Sequence, residues 1–261
     1  MAREAAALQL LEWYGVPAPR LLARIEDEEL WSEPVTIISR YDGAPWAQRE
    51  SSADARSWQA MLAELAELIA TCHAIPETAV PAELRSPAPP SPEPLERRLW
   101  HVQDYLEPGR LEQVARRLAV AAEVPTHRVD TWMTTVQPCL RLSPTFAHRD
   151  INEGQIMINS AGRVRGLIDW ESAGIQHPLN DLDFSTWGSG VWELEEHHDR
   201  LRRDFWDAYA AVRGVALPDW PAIQLFMIIV GAPPPEGHTT AWSPARRDRT
   251  IANLRTVDAI V

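Results

Sequence analysis

The amino-acid sequence predicts an α/β fold of the α+β kind, in which a small N-terminal part precedes a mostly helical remainder with one β-hairpin. Helices are indicated because apolar residues recur with helical periodicity over most of the chain. Strands are indicated by only a few short runs rich in Ile and Val. Two of these runs, Ile156–Ile158 and Val164–Ile168, flank the turn-forming sequence Asn-Ser-Ala-Gly, which predicts the hairpin.

The N-terminal part is predicted to contain one helix and two strands. Ala2–Trp13 is rich in Ala and Leu and is followed by Gly and Pro, as expected for a helix and its end. The runs Arg20–Ile25 and Val35–Tyr41 are β-prone and are separated by an acidic connection. We therefore predict a first domain over residues 1–42 and a second, mostly helical domain over residues 43–261.

The second domain is predicted to be helical apart from the hairpin and a proline-rich connection. Ser51–Ile75 gives the clearest helical pattern, because its apolar residues follow Ser and Asp residues that favour a helix start. Residues 76–94 are rich in proline and are predicted to form an extended surface connection. Further helices are predicted at Leu95–Tyr105, Leu111–Val124, His127–Gln137, Val191–Val212 and Pro221–Val230.

Composition and charge narrow the possible functions. The 261 residues carry a formal net charge of −12, which argues against nucleic-acid binding and fits a partner that is cationic or metal-bound. Only two cysteines occur, so neither a disulfide framework nor a zinc cluster is indicated. No secretion signal or membrane span is recognisable, so we predict a cytoplasmic protein that binds neither nucleic acid nor membrane. The oligomeric state is left open.

The residues with catalytic potential are concentrated in and around the hairpin. The tripeptide His148-Arg149-Asp150 follows an apolar pair, Gln155 comes five residues after Asp150, and Asp169 ends the second strand. Such a hairpin delivers a carboxylate and an amide to one end of a sheet, close to the second carboxylate on the preceding loop. This arrangement suits a divalent cation that bridges phosphates, beside an Asp that orients a hydroxyl group.

This combination resembles the catalytic core of the aminoglycoside phosphotransferase and choline kinase-like family, a branch of the protein-kinase-like fold. The family pattern is H-x-D, an Asn five residues after the Asp, a hairpin that ends in I-D-W/F, and then G-D-P-x-x-D-L. Within this stretch the chain has Gln where the family has Asn, and a larger departure lies in the N-terminal part. The matching segments here are His148-Arg149-Asp150, Gln155, Ile168-Asp169-Trp170 and His177-Pro178-Leu179-Asn180-Asp181-Leu182.

The resemblance implies roles for these residues and two cofactors. ATP would be the phosphoryl donor, Mg²⁺ the metal, and a small-molecule hydroxyl the acceptor. Asp150 would be the catalytic base, and Asp169 would bind Mg²⁺ together with Gln155. Asp181 would be a buried anchor for the catalytic loop. The extra methylene of Gln155 matters because Mg²⁺ tolerates little deviation from octahedral geometry.

The N-terminal part resembles the back half of the family's N-lobe. Ser39, Arg40 and Tyr41 would form the interlobe hinge and contact adenine through their backbone groups. Glu4 would be either the helix carboxylate that normally pairs with a strand Lys or a solvated residue in the first helical turn. All 25 basic residues of the chain are Arg, and no glycine-rich phosphate loop precedes the helix. The resemblance therefore predicts an N-lobe without its first part, and weakened binding of Mg·ATP.

Two functions are open at the level of sequence. The first is ATP-dependent transfer of a phosphoryl group to a hydroxyl of a small molecule, impaired by the missing loop and Lys. The alternative is a non-catalytic, kinase-like binding or regulatory module, which the same absences and Gln155 favour. The presence of both Asp150 and Asp169 favours the enzyme, because a domain kept only for its shape needs neither. The acceptor is not specified by the sequence.

Overall fold

The computed structural model of the protein describes residues 2–26, 34–49, 52–85, 109–182, 198–230 and 244–261. Contacts divide the chain into two compact units. The first comprises residues 1–90 and 144–215, and the second comprises residues 91–143 and 216–261. The boundary predicted at residue 42 falls within the first unit, and a separate domain over residues 1–42 remains a prediction.

Helices and short strands make up the described residues. The helices are α1 (Ala2–Trp13), α2 (Ala55–His73), α3 (Ala82–Arg85), α4 (Arg110–Ala121), α5 (Arg128–Leu140), α6 (His198–Arg213), α7 (Trp220–Val230) and α8 (Pro244–Asp258). The strands are β1 (Leu21–Ile25), β2 (Val35–Ile38), β3 (Ala44–Pro45), β4 (Thr145–Ala147), β5 (Ile156–Ile158), β6 (Val164–Leu167) and β7 (Gly174–Gln176). Short 3₁₀ helices lie at Trp46–Gln48, Glu77–Ala79 and Pro178–Asn180.

The strands of the first unit form three small antiparallel sheets. β1 pairs with β2, β4 pairs with β7, and β5 lies between β3 and β6. All three residues of β4 and of β5 are buried. The predicted hairpin is therefore confirmed, and its first strand lies in the core.

The core of the first unit is centred on α2, which packs along α6. The helix begins after Asp54, whose side chain accepts a hydrogen bond from the Ser57 backbone N–H at 2.8 Å and so satisfies a donor of the first turn. The face of α2 predicted from its periodicity is buried, with Trp58, Met61 and Leu65 each at most 1% exposed.

The second unit consists of α4, α5, α7 and α8. α5 packs against α7 and α4, and α7 also packs against α8. The C-terminal end of α8 is joined to α5 by Asp258, which accepts hydrogen bonds from Trp132 Nε1 at 2.7 Å and Arg128 Nε at 2.9 Å. Among the described residues, no helix has both the length and the apolar character needed to cross a membrane.

Several predicted boundaries need correction. β2 ends at Ile38 instead of Tyr41. The predicted extended connection contains a 3₁₀ turn and α3, where Pro81 directly precedes the helix start. Strands β3, β4 and β7 are not predicted, because two- and three-residue strands are too short to show alternation. Helix α8 is not predicted either, because its Arg-rich sequence has few apolar residues to indicate a helical face. The predicted helix Leu95–Tyr105, and the part of the next predicted helix before residue 198, lie outside the described residues.

Candidate active site

The hairpin of β5 and β6 brings Gln155 and Asp169 side by side at its open end. Ile156 pairs with Leu167 in the antiparallel register, and the backbone N–H of Ile168 donates to the carbonyl of Gln155 at 3.1 Å. Gln155 and Asp169 therefore lie at the same end of the hairpin, just beyond the Ile156–Leu167 pair. The predicted juxtaposition of an amide and a carboxylate is thus explained by strand register.

Asp150 and Asp169 are bridged by the side-chain amide of Gln155. Gln155 Nε2 donates to Asp150 Oδ2 at 3.2 Å and to Asp169 Oδ2 at 3.4 Å. The amide oxygen is used separately, because Gln155 Oε1 accepts from the backbone N–H of Asn152 at 3.1 Å. Gln155 is buried, whereas Asp150 is exposed to solvent. The structure therefore places all three predicted catalytic and metal-binding residues in one cluster.

Asp181 anchors the loop that carries Asp150. Its carboxylate accepts hydrogen bonds from the backbone N–H groups of His148 and Arg149, both at 2.7 Å, and its side chain is 1% exposed. Charge-assisted hydrogen bonds of this kind are among the stronger contacts in a protein. The predicted role of Asp181 as a buried anchor is confirmed by this geometry.

His148 fixes the same loop to the end of β6. Its Nε2 lies 2.9 Å from the Ile168 carbonyl, which can only accept a hydrogen bond, so Nε2 carries the proton. Its Nδ1 is then the acceptor for the Asp150 backbone N–H at 3.3 Å. The imidazole also packs on Trp170 with ring centroids 4.5 Å apart. His148 thus connects the backbone of Asp150 to the residue just before Asp169.

A buried network extends from Asp181 to α6. His73 Nε2 lies 3.2 Å from Asp181 Oδ2, and His73 Nδ1 lies 2.8 Å from the hydroxyl of Tyr209. Arg213 Nε donates to that hydroxyl at 3.2 Å, so the Tyr209 O–H donates to His73 Nδ1. His73 is therefore a satisfied residue at the end of α2, as predicted, and its Nε2–H faces the anchor carboxylate.

This network determines the protonation of the anchor. Burial acts to raise the pKa of Asp181, but the hydrogen bond from His73, the electrostatic interactions with His73 and His148, and the hydrogen bond from the Arg149 N–H outweigh it and lower the pKa. Burial likewise raises the pKa of Tyr209 to about 12. At neutral pH the anchor is therefore a carboxylate, and the Tyr209 hydroxyl that supports His73 is neutral.

Two residues of the site have left-handed backbone conformations that are unusual for non-glycine residues. Arg149 has φ 79° and Asp169 has φ 67°. Such conformations cost about 1–3 kcal/mol each and persist where the surrounding structure enforces them. The Arg149 N–H donates to the Asp181 carboxylate, and Asp169 directly follows Ile168, whose carbonyl accepts from His148 Nε2. Their strain is a structural sign of a functional site that is independent of the sequence motif.

Glu4 on α1 belongs to the electrostatic surroundings of Asp169. Burial raises the pKa of Glu4, and the negative charges of Asp169 and Glu171 raise it further. Glu4 is thus half-buried and close enough to Asp169 for their charges to interact. This favours the role of a helix carboxylate near the site over that of a solvated residue.

The predicted hinge residues lie between β2 and β3 and are tied to their neighbours. The Ser39 backbone N–H donates to the Arg20 carbonyl, and the Arg20 N–H donates to Ser39 Oγ, both at 2.8 Å. The Tyr41 hydroxyl donates to the Arg165 carbonyl of β6. Gly166 is required beside this contact, because a Cβ there would lie 2.2 Å from the Tyr41 hydroxyl. The hinge segment is thereby joined to the strand that leads to Asp169.

The residues present fit a hard divalent cation at Asp169, with Asp150 as the neighbouring carboxylate. Carboxylate oxygens are the ligands that Mg²⁺ prefers. Gln155 fits less well as it stands, since its amide nitrogen and not its oxygen faces the carboxylates. Among the described residues, no group of three or more His, Cys, Asp or Glu side chains forms a further candidate metal site.

Sequence reasoning missed the contacts that reach the site from distant elements. Arg3 on α1 donates to the Ala173 carbonyl at 3.0 Å, in the segment after Asp169. Tyr209 and Arg213 support His73 from α6. No motif marks these residues. The helical period of α6 indicates a buried face, but it does not indicate that the Tyr209 hydroxyl would contact His73 Nδ1.

The fold and the cluster together agree with the predicted phosphotransferase of protein-kinase-like fold. The sequence matches the family described as "Phosphotransferase enzyme family" over residues 1–226, and the chain belongs to this family. The predicted family is therefore confirmed, and nothing in the comparisons favours the non-catalytic alternative. No curated protein sequence matches the chain.

Solved structures support the fold. A candidate aminoglycoside phosphotransferase from Ralstonia eutropha JMP134 is 17% identical, with a TM-score of 0.55 over 98% of this chain and 80% of the other. A type I macrolide 2'-phosphotransferase is 17% identical, with a TM-score of 0.52 over 97% and 78%. The GDP complex of aminoglycoside 2'-phosphotransferase-IIIa is 19% identical, with a TM-score of 0.51 over 98% and 81%. At these identities the similarity shows the protein-kinase-like fold.

Proposed function

We propose that the protein transfers a phosphoryl group from ATP to a hydroxyl group of a small molecule. The observation that carries this proposal is the cluster in which Asp150 and Asp169 meet on one amide, at an edge where Asp150 is open to solvent. Family membership supports the reaction type. Phosphoryl transfer depends mainly on positioning and charge stabilisation, and a fixed pair of carboxylates supplies both.

Asp150 is proposed to be the catalytic base. Its exposure allows an acceptor hydroxyl to reach it, while its backbone is held by His148. One carboxylate oxygen is engaged by Gln155, and within the described residues no hydrogen bond is formed by the other oxygen. That second oxygen is suitably placed to orient an incoming hydroxyl and to accept its proton.

Asp169 is proposed to be the principal ligand of Mg²⁺, with Gln155 as a ligand only when its amide is reversed. The ion, when bound, would neutralise charge on the phosphate oxygens. Glu4 adds negative charge near Asp169, which favours a cation there. Asp181 and His148 contribute by fixing the loop that carries Asp150.

Adenine is proposed to bind through the backbone of residues 39–41. The N–H of Ser39 is already used by Arg20, so the contact would fall to Arg40 and Tyr41. Within the described residues, no backbone hydrogen bond is formed by the N–H groups of these two residues. Use of a nucleotide is supported by a similar solved structure that is named as a GDP complex. Weakened Mg·ATP binding and a cytoplasmic location remain predictions.

The acceptor is proposed to be a small hydroxyl-bearing molecule, with cationic ones favoured. The net charge of −12 and the exposed Asp150 favour a positively charged ligand over a nucleic acid. Related structures are named as aminoglycoside and macrolide phosphotransferases. These two classes, together with amino-alcohols, form the natural test set.

An acceptor screen tests the proposal directly. Purified protein with ATP and Mg²⁺ is supplied with aminoglycosides, macrolides and amino-alcohols, and the phosphorylated product is detected by mass spectrometry. At least one acceptor is expected to be phosphorylated, and Asp150→Asn is expected to abolish the product while retaining the wild-type Tm. Bound ATP without transfer to any acceptor would instead favour the non-catalytic module.

A further inference from the structure

The orientation of the Gln155 amide differs from that of a metal ligand. Its nitrogen faces Asp150 Oδ2 and Asp169 Oδ2 at 3.2 and 3.4 Å, and its oxygen lies 3.1 Å from the Asn152 backbone nitrogen. The residue is 6% exposed, so its polar atoms depend on protein partners. In this orientation each amide hydrogen faces a carboxylate and the oxygen faces an N–H.

Reversal of this amide is unfavourable while no cation is bound. It would bring the Gln155 oxygen against two carboxylates and its NH₂ group against the N–H of Asn152. Three donor–acceptor contacts would become repulsive together. The amide oxygen could therefore meet a cation only after both carboxylates and Asn152 had lost their partner.

We propose that Gln155 is a positioning residue that clamps Asp150 to Asp169 through its amide nitrogen and competes with a divalent cation for these carboxylates. The identity of the cation rests on the proposed phosphotransferase function. The clamp keeps both carboxylates in place when no cation is present, and it lowers the affinity for the cation. Asn cannot do the same from this backbone position, because it is about 1.5 Å shorter.

The test compares Gln155→Met, which preserves side-chain volume but removes the amide, with a matched control on the surface. Gln59 Nε2 donates to Asp204 Oδ2 at 2.7 Å on an exposed face of α2, so Gln59→Met also removes one amide–carboxylate contact. Thermal unfolding is measured without divalent cations, and MgCl₂ binding is measured by calorimetry. Both are performed on the wild type and on each variant.

Gln155→Met is expected to lower the Tm of the metal-free protein by about 4 °C or more, because two buried contacts to charged groups are lost. Its dissociation constant for Mg²⁺ is expected to fall below that of the wild type, because the competing amide is gone. Gln59→Met should change neither quantity appreciably. A metal-free Tm equal to that of the wild type overturns the clamp. Mg²⁺ binding no tighter than that of the wild type overturns the competition, and a weakening of tenfold or more makes Gln155 a ligand.

A failure of the proposed function is recognisable separately. If the wild type binds no Mg²⁺ with or without ATP, the proposed metal role fails, while the metal-free Tm still decides whether the clamp exists.

If Gln155→Met does not fold, the wild type is studied by side-chain amide NMR. The Gln155 amide protons should exchange with water more slowly than those of Gln59 and should shift on addition of MgCl₂. Exchange as fast as that of Gln59 overturns the proposal.

Discussion

The catalytic loop and the β1–β2 hairpin belong to the same compact unit, yet they are held in different ways. The loop is fixed by side chains from distant parts of the chain, including Asp181 and Gln155, and most of these are buried. In the described residues the hairpin is held by its ladder, by the contacts of Ser39 with Arg20 and by an exposed ion pair of Arg20 with Glu12. Its apolar residues Leu22, Ile37 and Ile38 are 57%, 40% and 37% exposed.

This difference shows where the structure concentrates its rigidity. A two-stranded sheet is only marginally stable by itself, whereas buried and charge-assisted hydrogen bonds restrict a loop strongly. The residues with proposed chemical roles lie where side chains from distant parts of the chain hold the backbone. The residues proposed to contact adenine, 39–41, directly follow strand β2. Substitutions in the loop should therefore have large effects and substitutions in the hairpin small ones.

Asp150→Asn should have the largest effect. We expect turnover to fall by roughly 10²–10⁴-fold, because the proposed proton acceptor is lost. The Tm should remain that of the wild type, since Asp150 is exposed and Asn keeps an acceptor for Gln155. Initial rates with the best acceptor from the screen, measured beside thermal unfolding, provide the check. Full activity in this variant would remove Asp150 from the mechanism.

Asp181→Ala should destabilise the protein most. It leaves the N–H groups of His148 and Arg149 and the imidazole of His73 without their acceptor in a buried site. With about 1–3 kcal/mol for each buried polar group left unpaired, we expect a loss of roughly 3 kcal/mol or more. Urea unfolding measures the loss. A change below about 1 kcal/mol would mean that the loop does not depend on this anchor.

The contribution of Asp181 should also depend on acid pH. Its pKa is lowered in the folded protein, so its stabilisation is fully present above the pKa of an unfolded Asp, about 3.9. It is lost as the pH falls through the lower, folded pKa. The difference in unfolding free energy between the wild type and Asp181→Asn should therefore be constant near neutrality and shrink below about pH 4. A difference that is constant down to pH 2 would contradict the lowered pKa.

Tyr209→Phe should have an intermediate effect. It removes the hydroxyl that donates to His73 Nδ1 and accepts from Arg213, and it leaves the ring packing unchanged. We expect a loss of about 1–2 kcal/mol, because a buried acceptor loses its donor. Denaturant unfolding checks this value, with Arg213→Gln as a partner variant. If both single variants and the double variant match the wild type, the network does not contribute to stability.

Ser39→Ala should have the smallest effect. The variant loses the hydroxyl that accepts from the Arg20 N–H on an exposed strand pair, but it keeps the backbone proposed to face adenine. We expect a change in stability within about 0.5 kcal/mol and ATP affinity close to that of the wild type. Calorimetric titration with ATP is the measurement. A tenfold loss of affinity would show that the side chain itself takes part in nucleotide binding.

The order of motifs along the chain was sufficient to predict the family, the fold class and the meeting of Asp150 with Asp169. Strand register then follows from the apolar pattern of two buried strands and the turn between them. The anchoring role of Asp181 was also predicted, because its spacing belongs to the same motif set. These features depend on local sequence and on a topology that the whole family shares.

Other features depend on geometry that sequence does not encode locally. The amide of Gln155 is oriented by the Asn152 N–H, and a difference of one methylene decides which groups it can reach. The tie between Tyr41 and β6 requires the absence of a side chain at Gly166, far away in sequence. Strands β4 and β7 pair over three residues each, too few for a periodic signal.

The two hydrogen bonds from adjacent backbone N–H groups to Asp181 make the position of Asp150 a fixed reference for the acceptor. On the proposed function, an acceptor would bring its hydroxyl to Asp150, which the loop holds in place, and its alignment would depend on the residues that form the walls of the acceptor pocket. Acceptor preference and catalytic power are then separable traits of the chain. New acceptors could be gained through changes in those walls while the loop and its anchor stay the same.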